Sequence, residues 1–146
     1  MKKLLVLSLF SLLAWADGLL EVVPSRVEFG IVEAGKLSQP KKIKIKNIYS
    51  GDVVFGTVNI GGKNYLDFRI GVDHCSYKIL KPGAECEVEV YFQPRVFLKK
   101  DEKIKKPKQL KREGLFVIPL SLLTDLDKTW KMAIPITGTA LVRKRD

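Results

Sequence analysis

Three stretches of the chain alternate strictly between apolar and polar positions. In QPKKIKIKNIY, Ile43 and Ile45 fall on one parity and Lys42, Lys44 and Lys46 on the other. In ECEVEVYF, Cys86, Val88, Val90 and Phe92 oppose Glu85, Glu87, Glu89 and Tyr91. In WKMAIPITG, Trp130, Met132, Ile134 and Ile136 share one face. A period of two is the signature of a strand with one buried face. Pro135 has no N–H to give to a ladder, so the last strand is expected to be an edge or to bulge near that residue. LFVIPLSLL, Leu115–Leu123, is apolar on both parities and predicts a central strand covered on both sides.

Turn chemistry punctuates these runs at Glu33-Ala34-Gly35-Lys36, Ser50-Gly51-Asp52, Gly61-Gly62 and Lys81-Pro82-Gly83. Gly61-Gly62 lacks the strand–loop–helix setting of a phosphate loop and reads as a hairpin turn. No helical period continues past the first residues. About seven or eight short strands so punctuated predict an all-β antiparallel β-sandwich.

The N-terminus differs from the rest. Lys2 and Lys3 precede an apolar run, Leu4–Ala14, and Ala14-Trp15-Ala16 supplies the small-x-small pattern of a signal-peptidase site. The run is shorter than the about 20 residues that span a bilayer. The expectation is a signal peptide over residues 1–16 and one domain over 17–146, without a transmembrane anchor after cleavage. The product would be exported, to the periplasm or to the cell exterior or surface.

One segment breaks the strand rhythm. Arg95–Glu113, RVFLKKDEKIKKPKQLKRE, inserts 19 residues between two strong strands, and from Lys99 it holds eight basic and three acidic residues. Pro107 argues against a continuous helix and the charge against a packed core, so a long loop or a protruding hairpin arm is expected. The whole chain carries a net charge of +10, and losing Lys2 and Lys3 leaves +8. Such a balance suits anionic partners, of which nucleic acid is disfavoured by export. The candidate anionic contacts are Lys99, Lys100, Lys103, Lys105, Lys106, Lys108, Lys111 and Arg112. Val96, Phe97, Leu98, Ile104 and Leu110 are interspersed and could dock once charge has brought a partner near. Abundant Lys, Ile and Val with scarce Asn and Gln give a composition like that of thermophile proteins.

At this point the pattern resembles the ASH or Hydin-type immunoglobulin-like domains, relatives of the major sperm protein and PapD folds. The residues that carry the resemblance are Pro24, the Phe29-Gly30 pair, Gly35 and Asn47, followed by DFRIGVDHC leading into Cys75. Pro82-Gly83 before Cys86, then Val90, Phe92 and Pro94, and a closing Gly138-Thr139-Ala140 complete it. It covers Pro24–Ala140. It implies a seven- or eight-stranded sandwich that binds proteins or scaffolds assemblies, with no family-wide catalytic residue and no cofactor. This chain departs from the pattern in holding a single domain and in carrying the basic insertion. The related pilus-type periplasmic chaperones, which donate a strand to a client subunit, are the alternative, although they hold two such domains.

The candidate chemistry is sparse. Cys75 and Cys86 stand 11 residues apart around Pro82-Gly83, and an exported chain with two cysteines is expected to pair them. Closing that loop would stabilise the fold by about 3 kcal/mol. The rival is a metal site using His74, Cys75 and Cys86, but structural zinc takes four protein ligands and neighbouring residues on an extended chain diverge. His74 is the only imidazole, so a triad has no second base, and Asp125 and Asp127 read as a turn between the last two strands. The reading is a non-enzymatic exported binding or scaffolding module that contacts a protein or an anionic envelope component.

Overall fold

The computed structural model describes residues 18–96 and 106–143; the expected signal peptide lies outside them. Ten strands occur among these residues: β1 (Leu20–Val23), β2 (Val27–Glu33), β3 (Lys41–Asn47), β4 (Val53–Phe55), β5 (Asn59–Gly61), β6 (Phe68–Asp73), β7 (Ile79–Leu80), β8 (Glu85–Phe92), β9 (Lys108–Leu122) and β10 (Asp125–Val142). They form two sheets. Sheet 1 runs β1-β3-β8-β6, and sheet 2 runs β2-β10-β9-β4-β7, with β5 also paired to β9. The expected immunoglobulin-like sandwich is present. The count exceeds seven or eight because β5 and β7, of three and two residues, are too short to leave an alternating signal.

The alternating runs bury the parities the sequence assigns. Ile43, Ile45, Val88, Val90 and Phe92 of sheet 1 are buried against Phe55, Phe116, Ile118, Leu120 and Ile136 of sheet 2. Each such side chain contributes about 1.5–3 kcal/mol. Asn47 occupies the next inward position of β3, and it is fully buried. Its amide donates to the carbonyls of Gly51 (3.0 Å) and Leu80 (2.8 Å), and its Oδ1 accepts from Tyr49 N–H (2.8 Å). These bonds tie the loops at that end of the sandwich, which is why a polar residue is tolerated there.

Pairings are antiparallel except one: β2 runs parallel to β10. The first strand is divided between the sheets, because the chain leaves β3's edge after Val23 and continues in the same direction along β10. Thr137 faces Glu28 while Thr139 faces Ile31, so β2 carries one extra residue at Phe29-Gly30. Gly30 takes φ +74°, a left-handed conformation that suits glycine in a bulge. The bulge lets Phe29 turn inward, where its ring lies 5.7 Å from Phe92 and 6.1 Å from Phe68.

Three expectations change. Leu115–Leu122 is central in sheet 2, but only one face is fully buried; Phe116, Ile118 and Leu120 point inward, while Leu115, Val117 and Pro119 line an outer face over which the described residues place no third layer. Gly61-Gly62 is not a hairpin turn: the chain there leaves β5 in sheet 2 for β6 in sheet 1. Finally, the basic insertion is shorter than 95–113, since Lys108–Glu113 extends β9 and pairs in register with Thr137–Val142.

Candidate partner-binding edge

β10 is 18 residues long, but β2 covers only part of it. The parallel pairing with β2 begins at Ile136↔Val27, so among the described residues Trp130–Pro135 pairs with β9 alone, while between Asp125 and Trp130 the register breaks and Leu126–Thr129 have no partner in β9. Pro135 sits at the last residue of this open edge, where a missing N–H costs no ladder bond. The expectation of an edge near that residue therefore holds for one half of the strand only. Trp130 and Met132 point inward and are half-buried against the core, Ile134 is buried, and Lys131, Ala133 and Pro135 face out. The Lys128 ammonium lies 4.8 Å above the Trp130 ring, a cation–π contact. Unpaired strand backbone of this kind is a template for an added strand. The hairpin tip above it exposes Leu123 and Leu126, and Asp125, placed by sequence in the turn, opens β10 opposite Leu122.

The described part of the basic insertion does not present one cationic face. Lys106 lies in a bend before β9, and Lys108 and Lys111, three residues apart, take opposite sides of the strand. Arg112 is not a free contact. Its guanidinium forms an ion pair with Asp67, which is 2% exposed, and the other oxygen of Asp67 accepts the Arg95 N–H at 2.9 Å. One carboxylate thus gathers both ends of the insertion. The two partners lie 45 residues apart, and no local pattern announces the pair. Lys99, Lys100, Lys103 and Lys105 lie outside the described residues.

Cys75 and Cys86 form the expected disulfide, with Cα atoms 5.3 Å apart. It joins the link after β6 to the start of β8, and both cysteines belong to the core. The metal reading of His74, Cys75 and Cys86 fails because both sulfurs are bonded to each other. His74 is exposed and its main chain donates to the Glu87 carbonyl (3.0 Å). Asp73 organises the turn, a role no local sequence pattern announces: its Oδ1 accepts the N–H groups of Cys75 (2.8 Å) and Ser76 (2.9 Å), and its Oδ2 accepts the Ser76 hydroxyl. Partial burial alone would raise its pKa. The hydrogen bonds from Ser76 and Cys75 and the charge of His74 outweigh that and hold the carboxyl below its usual value of 3.8. Among the described residues, no three His, Cys, Asp or Glu side chains cluster as a metal site would need, and no helix is long and apolar enough to cross a membrane.

The fold has counterparts among solved structures. The ASH/PapD-like domain 7 of human CEP192 superposes with a TM-score of 0.59 at 13% identity, over 87% of this chain and 88% of that one. The fold is that of the ASH and PapD-like β-sandwiches. The periplasmic chaperone SfaE matches with a TM-score of 0.55 at 11% identity, and 82% of this chain covers 56% of the chaperone. The Vibrio cholerae VesB protease matches at 0.56 and 15% identity, and 88% of this chain covers only 34% of that protein. At these identities the likeness concerns the fold alone. No family model and no curated protein matches the chain.

Proposed function

We propose that the chain is an exported, non-enzymatic binding module that holds a protein partner by strand addition along the open half of β10. The observation that carries this reading is the pairing of β2, which starts at Ile136 and leaves Trp130–Pro135 with a single neighbour among the described residues. Half-buried Trp130 and Met132 beside that edge supply apolar contact to an incoming strand. The ASH/PapD-like fold supports a binding or scaffolding role. A buried disulfide and the signal peptide expected from residues 1–16 support export, to the periplasm or the cell exterior. A second reading, a pilus-type chaperone, draws support from the likeness to SfaE, of which this chain spans just over half. Lys99, Lys100, Lys103 and Lys105, with Lys106, Lys108 and Lys111, offer a supplementary contact to an anionic envelope component.

The edge reading is tested by hydrogen exchange with and without a partner isolated by pull-down from an envelope extract. Strand addition slows exchange of alternate amides between Trp130 and Ile134 and leaves β3 unaffected. Protection confined to β1, β6 or the loops would overturn it. For the cationic contact, deletion of Lys99–Lys105, which spares β9, is expected to remove the salt-sensitive part of binding.

A further inference from the structure

We propose that one pole of the sandwich docks on an anionic lipid surface. This pole is built from the turn after β2, the Asn64–Asp67 turn, and the adjoining ends of β8, β9 and β10. It extends the anionic-contact part of the reading above but uses no residue from 97 to 105 and does not involve the β10 edge.

A network of hydrogen bonds holds the pieces together. Gly35 N–H donates to the Pro94 carbonyl (2.8 Å) and Ser38 N–H to that of Phe92 (2.8 Å). Gln93 bonds in both directions: its side-chain amide reaches the Gly35 carbonyl (3.2 Å) and its N–H the Asp67 carbonyl (2.7 Å). Asn64 N–H donates to Glu113 O (2.8 Å), Ala34 N–H to Leu141 O (2.9 Å), and Lys108 pairs in register with Val142. The two turns therefore flank the end of β8 at one end of the fold, on a bonded frame.

From this frame project three large apolar side chains: Leu37 at 50% exposure, Tyr65 at 51% and Leu66 at 60%. The segments that form this pole also carry the exposed cations Lys36, Lys63, Arg95, Lys106, Lys108 and Arg143. Among the described residues the opposing carboxylates are few. Asp67 is buried against Arg112, Glu33 lies 3.8 Å from the Lys36 ammonium, and Glu113 remains exposed. The opposite end, where Leu123 N–H donates to the Asp52 carbonyl and β7 pairs with β4, is more balanced, with Asp52, Asp125 and Asp127 against Lys78, Lys81 and Lys128. Charge thus orients the molecule with one end toward an anionic surface. An acidic protein or polymer would be satisfied by the cations alone. Leucines and a tyrosine projecting from tight turns among lysines fit a headgroup layer, where apolar tips enter and charges stay with the phosphates.

The test is co-sedimentation of the full protein with vesicles of equal parts phosphatidylglycerol and phosphatidylcholine, against pure phosphatidylcholine. The expected result is binding to the anionic vesicles only, weakened by about fivefold for each cation removed in K106Q and K108Q. The paired variant L37S/L66S, whose side chains are exposed and whose melting should match wild type, is expected to lose about tenfold or more. Absence of binding, or wild-type binding by L37S/L66S, would overturn the proposal. Binding to polyglutamate as tight as to vesicles would assign the pole to an acidic polymer instead. Deleting Lys99–Lys105 separates this inference from the insertion's own role: loss of binding in that deletion alone would sink the pole and leave the insertion standing, and loss in L37S/L66S alone would do the reverse.

Discussion

Replacing Arg112 with alanine separates two roles for this residue by their size. As a surface contact it would change stability by less than about 0.5 kcal/mol, the ordinary range for exposed substitutions. In the structure it is the charge partner of Asp67, a carboxylate 2% exposed, and Arg112 itself has only 23% of its side chain exposed. Removing it leaves a buried carboxylate with one N–H donor, from Arg95. Breaking a fully buried pair costs about 3–5 kcal/mol. The part of Arg112 that reaches solvent and the surviving Arg95 bond reduce that, so about 2–3 kcal/mol is expected. For a domain of this size that is a fall in melting temperature of about 10 °C. Urea unfolding of Arg112→Ala beside Lys111→Ala and Lys108→Ala measures it directly. The double variant Asp67→Asn with Arg112→Ala should recover part of the loss, because no uncompensated charge remains. If Arg112→Ala unfolds with the same midpoint as the lysine variants, the ion pair does not hold the insertion's ends and the reasoning fails.

Further expectations follow from the core and from the bridge. Gly138→Ala would set a Cβ 2.4 Å from the Phe92 ring, which stacks on Phe68 at 5.0 Å and cannot retreat; about 1–3 kcal/mol should be lost in urea unfolding, and Phe92→Leu should restore part of it. Replacing Cys75 and Cys86 by alanine should lower stability by about 3 kcal/mol, measured by the same unfolding, with a normally folded product at low temperature. Asp73 has a folded pKa below its unfolded value, so its stabilisation is full above the unfolded pKa and is lost as pH falls through the folded one. The stability difference between wild type and Asp73→Asn should accordingly be constant near neutrality and shrink below about pH 4. A difference that grows on acidification would contradict the hydrogen bonding at this turn.

Local patterning was enough for several conclusions. The parity of Ile43 and Ile45, of Cys86 to Phe92 and of Trp130 to Ile136 assigns their buried faces, because a strand's side chains alternate whatever its neighbours are. Two cysteines bracketing a Pro-Gly turn were sufficient to expect the bridge, and the ordered motifs from Pro24 to Ala140 were sufficient for the fold. The rest depended on which strands lie side by side. Nothing near Leu115–Leu123 says whether a second layer covers its outer parity; that is decided by which segments pack there, and the described residues form only two layers. The basic run looked like one cationic arm because composition carries no direction, whereas the pleat sends Lys108 and Lys111 to opposite faces and Asp67 takes Arg112 out of play. The open half of β10 is likewise a property of length mismatch between β2 and β10, two strands far apart in sequence. Periodicity is a short-range signal carried by the covalent chain, while edges, coverage and charge pairing are created only when distant segments meet.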